Sequence, residues 1–222
     1  MKRYFKGFYM SLGMFCAIPQ PRNLWDESCM NLMLPFFPVT GILIGAIWWG
    51  IAELLKLSGI HIILAAAISA VTPFLLSGFL HLDGYMDTSD AVLSRRPLEE
   101  KLRILKDPHN GAFSVIMAAI LFILQFASVY ALLDLGKNLT PLVFIAVISR
   151  CCASVSLLSM KAMPQSGYAN MFKRNARASH KAFVIALSVL TLAASYLFAG
   201  ISGLTSALSA AVGYLIAIVC SY

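Results

Sequence analysis

Charged side chains are scarce in this sequence of 222 residues. Asp, Glu, Lys and Arg make up 12% of it and hydrophobic residues 59%, whereas soluble domains carry about 25% charged and about 45–50% apolar residues. The five cysteines show neither C-x-x-C nor Cys/His spacing, which disfavours a zinc or dithiol site. No internal repeat is visible, which disfavours a transporter built from paired halves. At this length, these absences predict one integral-membrane domain over residues 1–222.

Long apolar stretches are abundant instead. A spanning helix needs about 20 mostly apolar residues, because the bilayer core offers no water to satisfy the backbone. Five regions qualify, and the last is long enough for two helices that separate near Gly200 and Gly203. The regions are 36–55, 60–80, 112–133, 139–160 and 182–222. We therefore predict an all-α polytopic membrane protein with about six transmembrane helices.

The first residues form a separate short segment. A basic start is followed by large apolar side chains at roughly helical spacing, without a small-x-small cleavage site. These side chains are Phe5, Phe8, Tyr9, Leu12 and Phe15. The pattern predicts an interfacial or re-entrant helix that precedes the first span.

The basic residues are distributed unevenly between the two sides of the predicted six-span topology. The N-terminal segment and the loops 81–110 and 161–181 carry 14 of the 17 Lys and Arg residues, and only Lys56 and Lys137 lie on the opposite side. By the positive-inside rule both termini and both loops face the cytoplasm, which places the protein in the cell (inner) membrane. The net charge of +7 is thereby explained without a nucleic-acid partner.

One short run concentrates carboxylates. Asp83, Asp87 and Asp90 lie in the stretch HLDGYMDTSD, and if it continues helically from the second span they share about 60° of arc. Carboxylates on one face repel one another, and hard oxygen ligands suit Mg²⁺ held together with substrate phosphates. A solvated helix face, with the acids paired to arginines that follow, is the alternative.

Several cations could complete a phosphate site. Arg95 and Arg96 directly follow the run and could hold phosphate oxygens in bidentate fashion. Metal, carboxylates and guanidinium groups together are typical of phosphoryl transfer. Arg150 lies within a predicted span, where a charge is costly, so it either reaches a substrate phosphate or pairs with an aspartate of the run. His81 could hydrogen-bond a phosphate or be structural.

The stretch HLDGYMDTSDAVLSRR followed by ILKDPHNGAF closely resembles the signature of the cobalamin-5′-phosphate synthase family. That signature is His-x-Asp-Gly-x-x-Asp-Thr-x-Asp, then a Lys/Arg-Asp pair and a Gly before the next apolar helix. Looser similarities lie in CAIPQP, PFFPVTGILIGAI and SRCCASVSLLSMKAMPQSGYANMF. The resemblance implies the last assembly step of cobalamin, in which α-ribazole or its 5′-phosphate is joined to adenosylcobinamide-GDP, Mg²⁺ assists and GMP leaves.

The resemblance also implies roles for individual residues. The metal ligands would be Asp83, Asp87 and Asp90. Asp107 would complete the metal shell or act as general base on the attacking ribose hydroxyl. The candidates for the diphosphate are Arg95, Arg96 and Lys106. Membrane lipid is the other expected partner. The sequence does not indicate whether the protein is a monomer or an oligomer.

Two alternatives and one departure remain. The spaced aspartates are also similar to those of CDP-alcohol phosphotransferases, but Asp87 follows Asp83 by four residues rather than three. A transporter or non-catalytic membrane subunit would place its ionisable residues at mid-membrane, where only Arg150 is expected. The family pattern has a further Asp near its C-terminus, and the sequence ends at Tyr222 without it. We therefore expect this chain to bind Mg²⁺ and nucleotide-linked substrate but to turn over slowly, or not at all, by itself.

Overall fold

A computed structural model describes residues 2–20, 24–160 and 167–220. All regular elements in these ranges are helical, which confirms the predicted fold class. In chain order they are α1 (Lys2–Phe15), a 3-10 helix (Glu27–Leu32), α2 (Met33–Leu57), α3 (Ile62–Leu76), α4 (Leu80–Leu93), α5 (Leu98–Ile104), α6 (Ala112–Asp134), α7 (Pro141–Ser159), α8 (Gly167–Lys173) and α9 (Ala178–Cys220). Part of the predicted loop 161–181, namely 161–166, lies outside the described residues.

The described helices agree with a membrane protein. Four are long and apolar enough to cross a bilayer, and a bent pair formed by α3 and α4 would make a fifth. Many of their large apolar side chains point outward, among them Leu197, Phe198 and Ile201 at 73–78% exposure. Lipid is the environment in which such a surface is stable. The count of six spans stays a prediction.

The last apolar run is interrupted where the sequence predicted a break. Gly200 in α9 has φ 62° and ψ −148°, a conformation that only glycine adopts readily. A Cβ on Gly203 would collide with the carbonyl oxygen of Ser195, although eight residues of a straight helix rise about 12 Å. The chain therefore bends back sharply at Gly200.

The second predicted span is not one straight helix. α3 ends at Leu76, and α4 leaves it at 90°. Gly78 and Phe79 both have positive φ, 61° and 60°, and two consecutive left-handed residues end a right-handed helix. The expectation that the carboxylate run continues directly from the second span is therefore wrong. The run forms a helix of its own.

The chain divides into two compact units, Met1–Gly50 with Asn138–Cys220, and Ile51–Lys137. The single integral-membrane domain expected from the sequence stays a prediction. In the first unit, α1 buries Gly7, Met10, Ser11 and Phe15 against the 3-10 helix, α2 and α8. The helical form of the N-terminal segment is confirmed. The side of α1 that packs against protein is not the same as the apolar stripe predicted from the sequence. Phe5, a member of that stripe, is 61% exposed.

A seam of small residues joins α2 to α7 in the first unit. A Cβ on Gly41 would lie 2.8 Å from the carbonyl oxygen of Ala146, and one on Gly45 would lie 2.8 Å from Cα of Val143. The Ser154 hydroxyl donates to the Leu34 carbonyl across the same contact at 2.9 Å. Glycines four residues apart allow helices in lipid to approach closely, so this spacing defines the seam.

The second unit packs α3 and α4 against α6. The rings of Phe74 and Phe122 meet edge to face with centroids 5.1 Å apart, and Tyr85 Oη lies 3.4 Å from the carbonyl oxygen of Met117. The outer side of α6 stays largely exposed, as a lipid-facing helix would be. This packing holds α4, with its aspartates, against the first half of α6.

Candidate active site

The three aspartates of α4 have different surroundings. The helix places them one and two turns apart, which confirms their predicted spacing, with Asp83 exposed, Asp87 half-buried and Asp90 buried at 8% exposure. α4 begins after the bend at Phe79 and ends where Arg95 adopts a positive φ of 52°. The carboxylates therefore occupy a short helix closed at both ends by left-handed residues.

Asp83 and Asp87 form the more accessible part of this group. The negative charges of Asp83 and Asp90 both act on Asp87, so a cation here would relieve repulsion. Among the described residues no three His, Cys, Asp or Glu side chains converge as a complete metal site. Mg²⁺ is commonly held by one or two carboxylates with substrate phosphates supplying further oxygens. Asp83 and Asp87 fit that kind of site.

Asp90 instead binds backbone amides. Its carboxylate accepts a short hydrogen bond from the N–H of Gly111 and a second, 3.1 Å long, from the N–H of Ser114. Both amides belong to the first turn of α6, where N–H groups lack helical partners and a negative charge is favoured. Asp90 therefore fastens α4 to the start of α6, and its predicted role as a metal ligand stays a prediction.

Gly111 is shaped to this contact. A Cβ added there would lie 2.5–2.7 Å from the carboxylate atoms of Asp90, closer than side chains approach. The Ser114 hydroxyl donates to the Gly111 carbonyl at 2.7 Å and completes the turn. The sequence HNGAF showed a glycine before an apolar helix, but it did not indicate that an aspartate 21 residues earlier required it.

Asp107 lies in the turn between α5 and α6. Its carboxylate accepts from the backbone N–H of His109 at 2.9 Å and lies 2.7 Å from the Nδ1 of the same residue. These hydrogen bonds hold the pKa of Asp107 below its usual value, so it stays charged at neutral pH. The motif spacing did not predict this pairing with His109.

Three of the predicted phosphate-binding cations belong to the same unit as Asp107. Arg95 and Arg96 follow α4, Lys106 precedes Asp107, and all three side chains are exposed. None takes part in an ion pair within the described ranges, and Arg103 pairs with Glu100 rather than with an α4 aspartate. The alternative of a helix face neutralised by the following arginines thus has no ion pair to support it. His81 is exposed on the first turn of α4.

Arg150 belongs to the first unit. It is 8% exposed in α7, its Nη1 donates to the Ala146 carbonyl at 2.9 Å, and its guanidinium lies 5.8 Å from the ring centroid of Phe37. Its Nε has no hydrogen-bond partner among the described residues, and no carboxylate described in this unit pairs with it. The side chain therefore keeps donors that an anion could use.

Comparison with known proteins gives a family. The sequence profile described as cobalamin-5-phosphate synthase matches residues 7–222, nearly the whole chain. No solved structure matches. The match runs through every residue assigned above to the candidate site.

Curated relatives agree with this match, and each bears the name adenosylcobinamide-GDP ribazoletransferase. One from Clostridium botulinum (strain Eklund 17B / Type B) is 40% identical over 185 residues, 83% of this chain and 73% of its own. One from Clostridium perfringens (strain 13 / Type A) is 36% identical over 94% of this chain and 83% of its own. One from Lachnoclostridium phytofermentans is 34% identical over 98% of this chain and 80% of its own.

Proposed function

Since the chain belongs to the cobalamin-5-phosphate synthase family, we propose that it is a membrane transferase joining α-ribazole, or its 5′-phosphate, to adenosylcobinamide-GDP. One observation carries the proposal at the level of this chain. The family's aspartate block forms a helix in which the carboxylates of Asp83 and Asp87 remain accessible to a ligand. Two exposed arginines, Arg95 and Arg96, follow this helix. The family match favours this reaction over a CDP-alcohol phosphotransferase and over a transporter.

The reaction exchanges one phosphate linkage for another. A ribose hydroxyl oxygen attacks the diphosphate phosphorus nearer to cobinamide, and a new O–P bond forms. The P–O–P bond breaks, and GMP leaves with the bridging oxygen. The hydroxyl proton passes to a carboxylate or to water. Such reactions depend mostly on positioning and on neutralising negative charge.

The residues of the second unit would divide these tasks. Asp83 and Asp87 would hold Mg²⁺, which when bound offsets charge on the diphosphate. The diphosphate oxygens would be bound by the exposed cations Arg95, Arg96 and Lys106. Asp107 would accept a hydrogen bond from the ribose hydroxyl. Its lowered pKa makes it a weak base and suits it to orienting that hydroxyl.

Arg150 would bind a further phosphate of a substrate. A buried guanidinium whose donors are not all used is stabilised by an anion, and its fork matches two phosphate oxygens. The first unit supplies no carboxylate to it within the described residues.

We propose further that the enzyme lies in the cell membrane with α4 and α5 on the cytoplasmic side. The distribution of Lys and Arg supports this orientation. Water-soluble phosphorylated substrates could then reach Asp83 and Asp87 without crossing the bilayer.

A direct assay tests the reaction. Purified protein in detergent micelles receives adenosylcobinamide-GDP, Mg²⁺ and either α-ribazole or α-ribazole 5′-phosphate. Liquid chromatography with mass spectrometry follows the products. We expect a corrinoid heavier by the ribazole unit and an equal amount of GMP, and no turnover once EDTA removes the metal.

Control substrates define what would contradict the proposal. A CDP-alcohol offered with diacylglycerol should give no CMP. Release of GMP without a joined corrinoid would mean hydrolysis instead of transfer. Release of CMP but not GMP would support the CDP-alcohol alternative.

A further inference from the structure

A polar cavity lies in the first unit, and none of the residues assigned above lines it. It measures about 520 Å³, within the size range of small-molecule sites. Its polar lining comes from α1, the 3-10 helix, the segment that joins α8 to α9 and the first turn of α9. These residues are Arg3, Tyr4, Asn31, Asn175, Arg177 and His180. We call this site the basic cavity.

Hydrogen bonds hold the walls of the basic cavity in place. Asn31 is 6% exposed, and its Nδ2 donates to the Asn175 carbonyl at 3.0 Å. Asn175 adopts a positive φ of 63°, a conformation that asparagine tolerates better than most residues. Arg3 Nη2 donates to the Ser28 carbonyl at 2.8 Å. Three separated chain segments are thereby fixed around one opening.

The cavity has a surplus of positive charge. Neither Arg3 nor Arg177 takes part in an ion pair in the part of the chain that the structure describes. The nearby carboxylate of Asp26 already accepts from Lys6 at 2.8 Å and from Ser28. Two guanidinium groups that share a cavity repel each other unless an anion lies between them.

The donors suit phosphate oxygens. Guanidinium groups bind phosphate through paired N–H donors. His180 Nδ1 accepts from the backbone N–H of Arg177 at 3.4 Å, so the proton of the neutral ring is on Nε2, which can donate. Arginine and imidazole donors without a competing lining carboxylate are the features of an anion site.

We propose that the basic cavity binds a phosphate ester, carried either by an anionic phospholipid headgroup or by a free nucleotide. Tyr4 and Phe5 on the adjacent turn of α1 are 59% and 61% exposed, and exposed aromatic side chains beside basic residues are typical of a membrane interface. The inference does not rest on the proposed transfer reaction, because none of the lining residues is assigned to that reaction and binding to the cavity is measured without turnover.

The test compares two double variants with the same loss of charge. Arg3→Gln/Arg177→Gln removes both guanidiniums of the basic cavity. Lys2→Gln/Arg174→Gln removes exposed cations from the same two segments but outside the lining. Native mass spectrometry measures retained phosphatidylglycerol against phosphatidylcholine, and microscale thermophoresis measures binding of GMP and of inorganic phosphate.

We expect the cavity variant to bind about tenfold more weakly or worse, while the control variant stays within about twofold of wild type. A loss limited to phosphatidylglycerol identifies a lipid headgroup, and a loss limited to GMP or phosphate identifies a soluble ester. Equal losses in both double variants, or no loss in either, would overturn the proposal. If the double variant does not fold, Arg177→Gln alone provides the comparison, because that side chain is exposed.

Discussion

At the scale of single residues, Asp87 allows the most direct test of the carboxylate site. Asp87→Asn keeps the shape of the side chain but removes one of the two accessible charges of α4. We expect the rate of GMP release to fall about 100-fold or more, with the protein still inserted and folded. Activity at several Mg²⁺ concentrations and the melting temperature measure the two effects separately.

Asp134→Asn is the matched control for Asp87, because it makes the same chemical change at an exposed position at the far end of α6. It should leave the rate unchanged. Near-normal turnover of the Asp87→Asn enzyme would disprove the assignment of this aspartate to the metal.

Arg150 tests whether a buried cation serves binding or packing. Arg150→Met removes a charge while keeping apolar volume beside Phe37, so a change of that kind can spare stability. We expect the Arg150→Met protein to fold and its KM for adenosylcobinamide-GDP to rise about tenfold or more. Arg150→Lys should recover only part of the lost affinity, because lysine lacks the planar guanidinium fork. Steady-state kinetics with a melting curve decide the matter. A large drop in melting temperature with KM unchanged would instead indicate that Arg150 serves packing, through its contacts with the Ala146 carbonyl and the Phe37 ring.

At the scale of elements, the contact between Asp90 and the start of α6 predicts a stability effect. Asp90→Ala leaves the buried N–H of Ser114 and the partly buried N–H of Gly111 without an acceptor, and an unsatisfied buried donor costs about 1–3 kcal/mol. Gly111→Ala should act on the same contact, because its Cβ would displace the carboxylate. We expect both variants to lower the melting temperature and to speed hydrogen exchange at residues 111–114.

Gly50→Ala is the matched glycine control, since a Cβ there meets no atom within 4 Å. It should not lower the melting temperature, because alanine favours a helix more than glycine does, and it should leave hydrogen exchange at 111–114 unchanged. Should hydrogen exchange at 111–114 stay slow in Asp90→Ala, the carboxylate does not fasten the two helices.

The sequence predicted elements whose causes are local and missed those whose causes are distant. Twenty-residue apolar runs and the glycine at position 200 were sufficient to predict helices and a break. The 90° turn at Gly78 and Phe79 was not predicted, because an apolar run continues through it. The hydrogen bonds between the Asp90 carboxylate and the start of α6 were not predicted, because the donors are backbone amides, which leave no signal in the sequence. The sequence also left open whether Arg150 pairs with a carboxylate, because that depends on tertiary packing; no such pair is present among the described residues.

At the scale of the whole molecule, the proposed orientation predicts a labelling pattern. In a background without native cysteines, single cysteines at Glu100 and Arg174 should react with a thiol reagent only when the reagent reaches the cytoplasm. A cysteine at Lys137 should react from the opposite side. Mass tagging in intact and permeabilised cells measures this, and labelling of position 100 from outside would refute the orientation.

The glycine seam between α2 and α7 sets an order of events during synthesis. Gly41 and Gly45 leave the ribosome long before their partner helix, which begins at Pro141. At about 5–20 residues per second, roughly 5–20 s separate the two. During that interval the face of α2 that carries Gly41 and Gly45 has no partner helix, while the whole second unit is translated. The first unit is therefore begun first and closed last, and the ribosome finishes the helix bearing Asp83 and Asp87 before Arg150 has been made.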